Sequence, residues 1–188
     1  MYNNEEKLEK DFNFFMKAFK AAAKRIKGDF FEIPVVGTET KFLRERAYCY
    51  ELYHQLQIEL NENFPYILHG ELDKKGHPII KEVIGEVIPD FVIHIPNTNN
   101  NLVVMEVKAL RENSSIDLKK DLDKLEAFIE KIEYFRGIML IYTNQPNEEC
   151  PPQTVLTQFQ EIADPNVKSR LLLVWHRGPR KTPLEISY

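Results

Sequence analysis

Apolar residues recur at intervals of three and four from Glu5 to Lys27, where Leu8, Phe12, Phe15, Phe19, Ala22 and Ile26 make one stripe. The chain therefore opens with an amphipathic packing helix that Gly28 ends, and that stripe is also a surface on which a homodimer can form. A β-rich stretch, Phe30 to Val36, and a break at Gly37 lead to a second helix from Lys41 to Glu59 with Thr40 as N-cap. Ala47, Cys49, Tyr50, Leu52, Tyr53 and Leu56 cover most of its faces, so it is expected to lie buried between other elements. Tyr66 to Leu72 and Ile79 to Ile84, joined by a turn at Asp73 to His77, read as a hairpin bearing Glu71 and Glu82, and Gly85 marks a bend.

A second hairpin follows. Phe91 to Ile95 is one β-rich run, Pro96 to Asn101 is Asn-dense turn chemistry, and Leu102 to Val107 is the partner run. Beyond it, Asn113 to Ser115 opens a helix, with Ser114 and Asp117 forming a capping-box-like start and Leu118, Leu122, Leu125, Ile129 and Ile132 facing inward. Gly137 to Tyr142 is a short strand, Pro152 to Ile162 a helix, and Arg170 to Trp175 a last strand. Helical crossovers between these strands predict parallel or mixed pairing at this end of the sheet. The fold class expected is α/β (α+β), a mixed central sheet flanked by helices. With neither repeat nor linker, residues 1–188 read as a single domain: an N-terminal helix and extension (1–39), a core (40–142) and a C-terminal helix and strand (143–188).

The chemistry concentrates at Pro89-Asp90 and Glu106-Val107-Lys108. Side chains alternate faces along a strand, so Asp90, Val92 and His94 share one face of the first strand, while Val104, Glu106 and Lys108 share one face of the second. Folding the hairpin brings Asp90 beside Glu106 and Lys108. Two nearby carboxylates raise each other's pKa, and a divalent cation between them removes that cost. An acidic residue, any residue, then Lys occurs five times, but only Glu106-Val107-Lys108 is on an expected strand and follows a Pro-Asp step. An all-carboxylate site favours Mg²⁺, with Mn²⁺ a substitute, over zinc. His94, farther along the Asp90 face, reads as a satisfied core histidine.

These residues resemble the PD-(D/E)XK, or restriction endonuclease-like, nuclease superfamily, on Pro89, Asp90, Glu106 and Lys108 over roughly residues 40–142. The resemblance implies a restriction endonuclease-like core and Mg²⁺-dependent hydrolysis of phosphodiesters, in DNA more often than RNA. It makes Asp90, Glu106 and Lys108 catalytic, with metal held by Asp90, Glu106, the Val107 carbonyl and a carboxylate from the preceding helix. Glu51 is the choice for that carboxylate and Glu45 the runner-up. His54 and Gln55, one turn on, are candidate nucleic-acid contacts, as are Arg111 and Lys119. Lys120 and Lys124, and the later His176, Arg177, Arg180 and Lys181, are further basic candidates.

Charge narrows this picture without deciding it. There are 25 Lys and Arg against 29 Asp and Glu, for a net charge of −4, which argues against coating nucleic acid by bulk charge but leaves room for a local basic surface. With no separate reading domain, specificity falls to loops, a homodimer or a partner protein. No apolar run is long enough to span a membrane and the charged start is unlike a signal peptide, so a cytoplasmic location and two free thiols, Cys49 and Cys150, are expected. The contrasting function is a catalytically inactive nuclease-like binding or assembly module. A small-molecule hydrolase ranks last, since there is no Gly-x-Ser-x-Gly motif.

Overall fold

Six strands form one mixed sheet in the computed structural model, which describes residues 2–37, 39–71, 88–111, 116–162 and 164–187. In chain order the described elements are α1 (Tyr2–Arg25), α2 (Gly28–Phe31), β1 (Glu32–Pro34), β2 (Lys41–Leu43), α3 (Glu45–Glu59), β3 (Ile67–Gly70), β4 (Phe91–His94), β5 (Asn101–Ala109), α4 (Lys119–Lys131), β6 (Arg136–Tyr142), α5 (Gln153–Gln160), α6 (Pro165–Lys168), β7 (Leu171–His176) and β8 (Leu184–Ile186). The sheet order is β3-β4-β5-β6-β7-β8. Both steps from β5 to β7 are parallel, and the other three pairings are antiparallel. The class is α+β. The antiparallel pair β1-β2 stands apart from the sheet.

Alternation along the strands builds two cores. Phe91, Ile93, Val103, Met105 and Val107 pack with α1 and α3 on one face, where Phe15, Phe19, Tyr48, Leu52 and Leu56 are fully buried. Val92, Val104, Met139, Ile141, Leu173 and Trp175 pack with α4 and α5 on the other. The parallel strands are covered on both faces, which explains why Ile138 to Tyr142 is an unbroken apolar run. Burying each large apolar side chain contributes about 1.5–3 kcal/mol, so these layers hold the sheet rigid beneath the site. At Gly137 a Cβ would lie 2.8 Å from Leu171 and 2.9 Å from Ile129, so glycine lets α4 settle on β6.

The expected elements differ from the observed ones mainly at their ends. The second helix starts at Glu45, because Lys41–Leu43 pairs with Glu32–Pro34 as a strand, and Arg44 at its N-cap makes no side-chain cap bond, displacing the expected Thr40. Phe30 and Phe31 belong to the short α2, and only three residues of the expected strand are extended. α4 begins at Lys119, where the Asp117 carboxylate accepts from the Lys119 amide; Asn113 to Ser115 lie outside the described residues. β3 pairs with β4. Its expected partner, Ile79 to Ile84, lies outside the described residues, as do Glu82 and Gly85. Among the described residues, no helix is long and apolar enough to cross a membrane.

Candidate functional site

The hairpin that carries the site is set by its turn and by Pro89. Asn97 adopts φ 61°, a left-handed conformation asparagine tolerates, while the Thr98 hydroxyl donates to the Ile95 carbonyl at 2.7 Å and the Ile95 amide donates to the Asn100 carbonyl at 2.9 Å. That closure aligns Phe91 with Met105 and Val92 with Val104. Asp90 then falls just outside the ladder, opposite Glu106. Its Oδ2 accepts from the Val107 amide at 2.7 Å, a bond that fixes its carboxyl against β5.

Glu106 is 3% exposed. Burial, and then the nearby Asp90 charge, push its carboxyl up to about 8 despite the Lys124 ammonium. Asp90 rises to about 6, chiefly from burial, with the Val107 amide and Lys124 holding it down. The cation bonded to Glu106 is Lys124 of α4, whose Nζ lies 2.7 Å from Oε2 and 3.4 Å from the Ile88 carbonyl. Glu106 Oε1 is buried and has no hydrogen-bond partner among the described residues. Lys108 turns instead to Asp121, 2.8 Å away, and Asp121 also approaches Lys124 at 3.8 Å. Burial lowers the Lys108 pKa, but Asp121, Glu45 and Glu106 outweigh it and leave the ammonium more basic than usual.

From the opposite face, α3 sends one carboxylate across the end of β5. It is Glu45, whose Oε1 accepts from the Ala109 amide at 3.1 Å. Glu51 lies six residues farther, about 9 Å along the helix at 1.5 Å per residue, and accepts from Gln55 at 2.8 Å. The α3 carboxylate bonded at the strand end is thus Glu45, the runner-up, while Glu51 bonds within its own helix. A cleft of about 570 Å³ opens here, lined by Arg44, Glu45, Lys108, Ala109, Arg111 and Asp117 among others.

The other candidates lie elsewhere. Lys119 is exposed and pairs with Asp123 at 3.1 Å, while Lys120 and His54 are exposed. Gln55 and Arg180 line a second cleft with Lys24, Arg25 and Lys27. Glu71 pairs with Arg46 at 3.3 Å. His176, expected on a basic surface, is fully buried because β7 ends beneath α3: its Nδ1 is 2.7 Å from the Tyr48 hydroxyl, and burial lowers its pKa to about 4. His94 is partly buried against His69, with ring nitrogens 3.0 Å apart. Cys49 is buried, Cys150 is exposed, and both are free thiols. Asp121 escaped the strand-based reasoning, and Lys124, named above as a basic candidate, was not expected on the Glu106 carboxylate, because the approach of both depends on how α4 packs. Their one sequence signal is i, i+3 spacing beside the inward Leu122 and Leu125.

Among the described residues, no three His, Cys, Asp or Glu side chains converge in a way that would hold a metal ion. A hard divalent cation asks for less, since Mg²⁺ is commonly held by one or two carboxylates with water and phosphate completing its shell. Asp90 and Glu106, with Glu106 Oε1 unpartnered, fit that requirement. No protein-family model matches this chain, no curated protein matches it, and no solved structure matches it.

Proposed function

We propose that this chain is a metal-dependent nuclease that hydrolyses phosphodiester bonds, most readily in DNA, with Asp90 and Glu106 as the cation-holding pair. The observation that carries the reading is the buried Oε1 of Glu106, without a hydrogen-bond partner among the described residues and with the Asp90 carboxyl close by, on the strand whose next residues, Lys108 and Ala109, line a cleft with Arg44 and Arg111. Burying two mutually repelling acids costs stability unless a cation compensates them, and one ammonium compensates only in part. Mg²⁺ or Mn²⁺ held there supplies Lewis-acid neutralisation of phosphoryl charge and makes water a better nucleophile.

The chain's own groups do the rest. The Val107 amide fixes Asp90, and Lys124 opposes the burial that favours the protonated form of Glu106. Lys108, Arg44 and Arg111 give the cleft three cations with which to orient a phosphate. Glu45, bonded to Ala109, and Asp121 hold the Lys108 region in place. The fold agrees with the restriction endonuclease-like resemblance at the level of a mixed sheet between helices.

Plasmid nicking and oligonucleotide cleavage in millimolar Mg²⁺ or Mn²⁺ test the reading. Wild type is expected to cut, and Asp90→Asn or Glu106→Gln to slow cutting by at least about 100-fold, the loss of roughly 3 kcal/mol of transition-state stabilisation. Equal rates in the variants overturn the residue assignment. A binding or assembly module is favoured by one observation, that Lys108 and Lys124 are both already engaged in internal ion pairs. Metal and DNA binding without cleavage under any of these conditions selects it.

A further inference from the structure

A second constellation lies on the same face of the sheet as Glu106. His69 of β3 and His94 of β4 place Nδ1 and Nε2 3.0 Å apart, with ring planes at 63° and centroids 5.2 Å apart. They meet diagonally, since Ile67 stands opposite His94 and His69 opposite Val92. The β4-β5 register shifts between Ile93 and His94, the kind of bulge that re-aims a side chain. Both residues are partly exposed, and each is anchored on a paired strand. Val92 separates this pair from Asp90 along β4.

We infer that His69 and His94 form a two-imidazole chelate for a divalent transition cation, Cu²⁺ or Ni²⁺ in preference to Zn²⁺, distinct from the Asp90–Glu106 pair. Metal–imidazole bonds run about 2.0–2.1 Å, so two cis ligands at a right angle sit about 2.9 Å apart, whereas a tetrahedral angle needs about 3.3–3.4 Å. The observed 3.0 Å matches the right-angle bite of a tetragonal site and would have to open for tetrahedral zinc. Nitrogen donors also separate this pair chemically from the oxygen-only carboxylates, which favour Mg²⁺. In the metal-free pair one facing nitrogen carries the proton of an N–H···N bond. Metal binding moves that proton to the outer nitrogen of the same ring, so the neutral pair loses no net proton. Water completes the coordination shell. This inference stands whether or not the chain cleaves nucleic acid.

The test is a titration of the full chain, stripped with chelator, by Cu²⁺ and by Ni²⁺ at pH 7.5, followed calorimetrically and by electron paramagnetic resonance of the copper form. One cation per chain at micromolar or tighter affinity is expected, with a tetragonal copper spectrum showing two nitrogen couplings. His69→Gln and His94→Gln should each weaken binding by at least about tenfold and remove one coupling, while Asp90→Asn leaves both readouts unchanged. If either histidine variant is poorly folded, the nitrogen couplings of the wild-type spectrum decide. A spectrum without two histidine nitrogens, equal affinity in wild type and both histidine variants, or no binding at micromolar concentration overturns the assignment.

Discussion

Two buried polar clusters lie at the ends of neighbouring parallel strands, and they handle burial in opposite ways. At the end of β6 and β7, Tyr48, Tyr142, His176 and Phe31 form an aromatic nest with Tyr48 and Tyr142 stacked 4.1 Å apart. Its imidazole is held neutral by burial and hydrogen-bonded to a hydroxyl. At the end of β5, Glu106 is buried and Asp90 half-buried beside Lys124, and one Glu106 oxygen has no hydrogen-bond partner among the described residues. The same desolvation acts on both. Among the described residues each cluster keeps buried polar atoms without a hydrogen-bond partner, His176 Nε2 and the Tyr142 hydroxyl in the nest and Glu106 Oε1 in the acidic cluster, but only the acidic cluster holds carboxyls whose charge a cation would compensate, and that difference separates a packing feature from a candidate site.

Removing the compensating ammonium should break this contrast most sharply. Lys124→Met leaves Glu106 and Asp90 without their partner, and with Lys124 and Glu106 side chains 12% and 4% exposed the buried regime applies. A loss of about 3–5 kcal/mol is expected in urea unfolding at pH 8, much less at pH 5 where both acids are protonated, and the Glu106→Gln double variant should recover most of it.

A smaller effect is the pH dependence of wild-type stability. Glu106 and Asp90 have raised folded pKa values, so the folded state binds more protons than the unfolded one and stability falls as pH climbs from about 5 toward 8. His176 has a lowered folded pKa, so the unfolded state binds the extra proton and stability falls as pH drops from about 6.5 to 4. The windows overlap between about pH 5 and 6.5, where His176 offsets part of the carboxyl effect, so denaturation midpoints should fall most clearly from about 6.5 to 8, where Glu106 titrates alone. Glu106→Gln should flatten the alkaline limb by about 1–3 kcal/mol without moving the acid one. The smallest effect belongs to the neutral nest: Tyr48→Phe removes the hydroxyl bonded to His176 and should cost about 1–2 kcal/mol at every pH above 7, measured in the same unfolding experiment.

How much of this was legible depended on distance along the chain. The hairpin from Phe91 to Val107 follows from period-two alternation and Asn-rich turn chemistry, and it brings Asp90 and Glu106 together with no long-range contact needed. The first helix was legible from its stripe, although Met16, Ala18 and Ala23 are buried too. What sequence pattern did not reveal is what arrives from elsewhere. Lys108 shares the Glu106 face, but Asp121 draws it aside once α4 packs, and Lys124 takes its place at the carboxylate. The α3 carboxylate at the end of β5 is Glu45, the first residue of the helix, rather than Glu51, a difference that depends on how α3 docks on the sheet. His176 follows an apolar strand and precedes Arg177, which reads as a basic surface until α3 covers it. Three-residue strands such as β8 carry too little periodicity to stand out.

The central claim is that Asp90 and Glu106 are a strained acid pair that a divalent cation relieves. Carbon-13 NMR of their side-chain carboxyls, titrated from pH 4 to 9 with and without about 10 mM Mg²⁺ (about tenfold above the weakest dissociation constants to which hard-cation sites are tuned), reads it directly. The account predicts apparent titrations near 6 and 8 without metal, moving to markedly lower pH when Mg²⁺ is present. Both carboxyls titrating in the ordinary range near 4, with no response to Mg²⁺, would contradict it.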